Sequence, residues 1–155
     1  MTDIRLVRDY PHPPTKVWRA LTDPKLLALW SMRPEGHSLE VGARFKFYGE
    51  ANSHWRGYVE CQMLEVQAPS RLRYSWIGDD SGRELIVSYT LEPRASGTRL
   101  TLVHSGYAGV GGFLLAKLIM TPGWKKMLDG DFRAVLDQSD ENGALLPGRK
   151  LLPKY

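Results

Sequence analysis

The chain has 155 residues, 43% of them hydrophobic and 25% charged, which suits one domain with a real core. A single cysteine excludes an intramolecular disulfide, and a net charge of +4 spread along the chain argues against a nucleic-acid footprint. The N-terminus "MTDIRLVRDY" lacks a signal-peptide core, and the longest apolar stretch, "VGGFLLAKLIM", is too short to span a bilayer and contains Lys117. The expectations are a cytoplasmic protein with no membrane span and no nucleic-acid partner.

"DIRLVRDY" reads as a first strand, stopped by "PHPP" because proline cannot donate to a ladder. Pro14 opens a short helix with Val17, Trp18 and Leu21 on its buried stripe. Asp23 and Pro24 then cap and start a second, which carries Leu26, Leu27 and Trp30. A run of alternating segments follows. "ARFKFYG" puts Phe45 and Phe47 on one face. "HWRGYVECQM" aligns Trp55, Gly57, Val59, Cys61 and Met63. "RLRYSW" aligns Leu72, Tyr74 and Trp76, and "ELIVSYTL" aligns Leu85, Val87, Tyr89 and Leu91. "GTRLTLVHSGY" continues with Leu100, Leu102 and His104 on its apolar row. Turn signals at "APS", "GDDSG" and "PRASG" predict an antiparallel meander with one face covered. The cover is a C-terminal helix predicted to begin near Thr121, with Trp124, Leu128, Phe132 and Val135 facing inward, and to fade near "SDENG". Between Gly106 and Gly123 the glycines predict a flexible, apolar flap, with a hinge where Pro122 and Gly123 interrupt the helix; a short helix packed on the core is the alternative. The pattern is α+β: one twisted sheet and one long amphipathic helix that must bury their apolar faces against each other.

"PHPPTKVWRALTDP", Trp30, "VGARFKF", "RGYVE", "APSRLRYSW", "GTRLTLVHSGY" and "GWKKML" occur in this order. The set resembles the activator of Hsp90 ATPase homologue 1-like family, within the START-like (Bet v 1-like, SRPBCC) superfamily, over residues 3 to 138. The resemblance implies a helix-grip fold: a curved antiparallel sheet with two short helices, wrapped around a long C-terminal helix. It places one START-like domain at 1–140 and a tail at 141–155. It also implies a hydrophobic small molecule held between sheet and helix. Some members of the superfamily are polyketide cyclases or aromatases, and some carry lipids.

His104 reads either as a polar group orienting a ligand in an apolar pocket or as a core histidine bonded to a backbone carbonyl. Ser105 points to the opposite face, so it forms no nucleophilic pair with His104. Cys61, between Val59 and Met63, reads as a buried, inert thiol. Gly106, Gly109, Gly111 and Gly112 lack the spacing of a dinucleotide loop. His12, His37, His54 and His104 lack metal-ligand spacing, so no metal and no cofactor is expected. Asp131 reads as a helix-edge carboxylate. The aromatic set carries the most weight, because tyrosine and tryptophan need partners for their polar tips. The predicted ligand-binding residues are Trp30, Phe45, Phe47, Trp55, Val59, Tyr74, Trp76, Val87, Tyr89, Leu102, His104, Phe113, Trp124 and Leu128, with no catalytic residue assigned. His104, Tyr74, Trp76 and Tyr89 are expected to share one cavity.

Three functions follow: a binding module for a hydrophobic or aromatic molecule, a cyclase- or aromatase-like enzyme, and a partner of an Hsp90-like chaperone. The third is weakened by size, since the better-known co-chaperones carry a further N-terminal domain that a single domain of this length leaves no room for.

Overall fold

Alternating apolar residues build seven strands in the computed structural model, which describes residues 2–148 and 151–154. They are β1 (Thr2–Tyr10), β2 (Arg33–Glu35), β3 (Arg44–Tyr48), β4 (Tyr58–Gln67), β5 (Arg71–Trp76), β6 (Leu85–Arg94) and β7 (Gly97–Tyr107). All pairings are antiparallel, in the order β1-β7-β6-β5-β4-β3-β2. The sheet is open and curved, and its inner face is the apolar row read from the sequence.

Two strand boundaries differ from the sequence reading. β2 has only three residues, too few to show alternation, and its Pro34 is tolerated because the strand lies at the sheet edge. β4 begins at Tyr58, so Trp55 and Gly57 precede it rather than extend it. Gly57 has φ +89°, a conformation that L side chains rarely adopt, and a Cβ there would collide with Ala51. The loop just before β4 is clamped by Arg56. Its guanidinium lies 4.0 Å from the Tyr58 ring centroid, donates to the Ile77 carbonyl at 2.9 Å and pairs with Asp80 at 2.8 Å.

Between β1 and β2 the chain forms α1 (Pro14–Thr22) and α2 (Pro24–Trp30). The Lys25 amide donates to the Asp23 carboxylate at 2.9 Å, a cap worth about 1 kcal/mol. Both helices bury the stripe expected of them, with Trp30 as the end stop of α2.

The C-terminal helix is the main correction. It begins at Gly109, not near Thr121, and runs without a break to residue 138, here called α3. The predicted interruption at Pro122 and Gly123 does not occur. Its inward residues explain how. Ala116, Met120, Trp124, Leu128, Phe132 and Leu136 recur every four residues and are buried or partly buried. In a helix of 3.6 residues per turn each step of four drifts by about 40°, so five steps would carry the row off the sheet by about 200°. Two π turns, Ala116–Met120 and Met127–Asp131, widen the helix and hold the row inward. The first lies just before Pro122, which has no amide to donate. There the Thr121 amide reaches back to the Ala116 carbonyl, which also accepts from the Thr121 hydroxyl at 2.7 Å. In the second π turn the Leu128 carbonyl accepts from the buried Tyr10 hydroxyl at 2.8 Å.

Past α3 the described chain folds back. The Lys154 amide donates to the Ala28 carbonyl at 3.1 Å, its ammonium pairs with Asp131 at 2.6 Å, and Leu151 packs on the core. Among the described residues no helix is long and apolar enough to cross a membrane.

Candidate functional site

β7 ends in a bulge that builds the centre of the site. His104 pairs with Ile4 and Tyr107 pairs with Thr2, so three steps on β7 match two on β1. Strict alternation would put residues 104 and 107 on opposite faces. Gly106, at φ +106°, absorbs the extra residue, and both side chains turn inward and are buried. Trp124 approaches the same point from α3.

Three polar side chains meet there. The Trp124 indole N–H donates to His104 Nδ1 at 3.0 Å, and the Tyr107 hydroxyl lies 3.0 Å from the same nitrogen. An indole nitrogen can only donate, so Nδ1 accepts, Tyr107 donates to it as well, and the imidazole proton sits on Nε2. Burial pushes the His104 pKa down to about 3, so the ring is neutral at physiological pH. His104 is 0% exposed, yet its Nε2 has no hydrogen-bond partner, alone among the buried side-chain nitrogens and oxygens of the described residues. A buried donor left unmade costs about 1–3 kcal/mol.

Aromatic rings surround this group. Trp76 lies 5.2 Å and Tyr107 5.2 Å from His104, centroid to centroid. Trp124 touches Trp76 at 6.1 Å and Tyr89 at 6.3 Å, and Tyr89 leads on to Tyr74, Phe45 and Phe47. Burial raises the pKa of Tyr74, Tyr89 and Tyr107, and Tyr89 raises that of Tyr74 further. All three are therefore neutral phenols. No carboxylate is among the causes that shift His104. The cluster therefore presents one unpartnered hydrogen-bond donor, on a neutral imidazole, among packed aromatic rings.

Each residue singled out from the sequence has a definite place. Phe45, Phe47, Tyr74, Trp76, Tyr89, His104 and Trp124 form the continuous aromatic cluster just described. Val59, Val87, Leu102 and Leu128 are buried, as parts of the same core. Trp30 lies toward the far end of α3, edge-on to Phe132 at 4.7 Å, its indole donating to the Ala20 carbonyl. Trp55 is half-buried and donates to the Gly78 carbonyl in a loop contact. Phe113 is 43% exposed on the first turns of α3, apart from the cluster. Tyr107 was not among the predicted residues. Its signal was the glycine before it, since a glycine inside a strand often marks a bulge.

The four residues expected to share a cavity are brought together, by ring packing. Two surface hollows lie elsewhere. One of about 310 Å³ is bounded by residues including His12, Pro13, Pro93 and Gly97; another of about 380 Å³ by Trp18, Arg19, Ala68 and Pro69 among others. Cys61 is buried and its thiol pKa is pushed up by that burial. Among the described residues no three His, Cys, Asp or Glu side chains gather as a metal site.

Known structures share this architecture. Protein MLL2253 from Mesorhizobium loti is 29% identical, with a TM-score of 0.76 over 90% of this chain and 99% of that one. DynU16, from the dynemicin biosynthetic locus, is 26% identical with a TM-score of 0.73 over 87% of this chain; the match spans only 47% of DynU16. CalU16 from Micromonospora echinospora is 26% identical with a TM-score of 0.66, over 86% of this chain and 74% of that one. No curated protein matches the chain. The family model described as "Activator of Hsp90 ATPase homolog 1-like protein" matches residues 11–137, and the chain belongs to that family.

Proposed function

We propose that the protein binds a hydrophobic or aromatic small molecule between sheet and α3, anchored by the Nε2–H of His104. The unpartnered, fully buried nitrogen carries this reading. Buried polar groups are nearly always paired, and an exception calls for a partner. The partner's chemistry follows from the ring's: an acceptor such as a carbonyl, ether or hydroxyl oxygen on an otherwise apolar body. The chain would have to admit it by parting α3 from the sheet. Ala116 is the only buried residue between Gly109 and Gly123, so the first half of α3 is the part held least firmly. A reducing, cytoplasmic setting belongs to the same reading, supported by the single, buried cysteine.

A cyclase- or aromatase-like activity is the second reading. A neutral imidazole N–H can polarise a substrate carbonyl without exchanging a proton with it. The likeness to a protein of the dynemicin biosynthetic locus supports it, at half that protein's length. An Hsp90-like partner rests on the family name alone.

Native mass spectrometry of the protein purified from its own host tests the binding reading. The expected result is an apolar molecule with at least one oxygen or nitrogen acceptor, retained by the wild type and lost from folded His104→Phe. A protein that carries nothing, or a variant that keeps the same ligand, overturns it.

A further inference from the structure

The first half of α3 is built inside out. Val110, Phe113, Leu114, Leu115, Leu118 and Ile119 are all exposed, Val110 by 78% and Leu118 by 66%. Up to Met120, the residues turned to the protein are small. Gly112 sits where a Cβ would press on the Tyr107 backbone at 3.2 Å, and Ala116 is 1% exposed. These two contacts fix the rotation of the helix, so the large side chains face outward by construction. Val110, Phe113, Leu114 and Leu118 follow the i, i+3, i+4, i+8 spacing of a single apolar stripe.

The charge on this segment has one sign. Residues 109–126 contain no Asp or Glu, and their three lysines, Lys117, Lys125 and Lys126, are all exposed. Lys117 lies inside the stripe, 5.5 Å from the Phe113 ring centroid. The first carboxylate along the helix, Asp129, is held by Arg8 at 2.6 Å. In the loop between β5 and β6, whose Arg83 reaches the Ala108 carbonyl at 3.4 Å, Arg83 and Glu84 are both exposed and their charges offset each other.

We propose that residues 109–126 form a docking surface for an anionic lipid bilayer, with the apolar stripe seated at the headgroup boundary and the lysines on the phosphates. Charge decides between lipid and a second copy of the chain. A two-fold dimer would bring the same patch face to face, setting a surface with three lysines and no carboxylate against its copy. An anionic membrane neutralises the lysines instead. The helix lies on the bilayer rather than crossing it, since its second half is committed to the core.

Flotation with phosphatidylcholine vesicles, with and without about a quarter phosphatidylglycerol, tests this. Binding is expected to be ~10-fold stronger on the anionic vesicles and to weaken with salt. Leu118→Glu should abolish it, and Lys117→Glu should remove the anionic preference. Both side chains are exposed, so both variants should melt like the wild type. Equal recovery on neutral and anionic vesicles, no recovery on either, or a concentration-dependent dimer dissolved by Leu118→Glu without vesicle binding, each overturns the proposal.

Discussion

Replacing Trp124 by alanine is expected to remove about 3–5 kcal/mol of stability, the range for truncating a buried aromatic residue. Three losses coincide. The indole is 2% exposed, so its area returns to water or leaves a void. It is the ring joining Trp76 and Tyr89 on the sheet to α3. It also donates to His104 Nδ1, which would be left with Tyr107 alone. Since whole domains are stable by only about 5–15 kcal/mol, the variant should unfold at a much lower urea concentration with an unchanged slope. A loss under about 1 kcal/mol would mean that the sheet and α3 are not held together at this point.

Acid is expected to destabilise the fold well above the carboxylate range, through His104. Its pKa is lowered to about 3 in the folded protein from an ordinary 6.5. The unfolded chain therefore binds a proton that the folded protein refuses. Below 6.5 the unfolded state holds more protons, so stability falls as pH drops from 6.5 toward 3 and is complete above that window. The limiting slope is about 1.4 kcal/mol per pH unit for one proton. His37, also lowered by burial, adds in the same direction. Asp9, Asp79 and Asp129 have lowered values too, but from 3.8, so their contribution fades only below that. Urea titrations between about pH 6.5 and 4 isolate the histidines. His104→Phe should be less stable at neutral pH, because it strips the Trp124 and Tyr107 donors of their acceptor, yet flatter across this window. His37→Gln should keep most of the slope. A wild-type profile flat from pH 6.5 to 4 would contradict the buried, neutral imidazole.

Most of the sheet was legible because its alternation is local. From Phe45 to His104 nearly every inward residue declares its face by its neighbours, and the row runs unbroken from β3 to β7. β2 was not, since three edge residues show no period. α3 was misread for a different reason. Gly111, Gly112, Pro122 and Gly123 are poor helix formers individually, and the large residues of its first half point to water. What permits the helix is tertiary: Gly112 and Ala116 fit close against the sheet, and a π turn accommodates Pro122. No spacing rule of 3.6 reports a four-residue row kept inward by two π turns. The candidate site was half legible. His104 stood out as a histidine on an apolar row, and Trp124 as part of a helical stripe. That both meet Tyr107 depends on the Gly106 bulge, which alternation alone does not reveal.

The most direct measurement of the binding account is the imidazole ¹⁵N spectrum of His104, recorded free and with a panel of aromatic ketones. The account predicts a neutral ring protonated at Nε2 in the free protein, with Nδ1 in the acceptor range of shifts. It further predicts that a bound ketone moves the Nε2–H proton downfield, as a new hydrogen bond requires, and leaves Nδ1 nearly unchanged. A ring protonated at Nδ1, or a ketone that binds while the Nε2–H signal stays where it was, would contradict it.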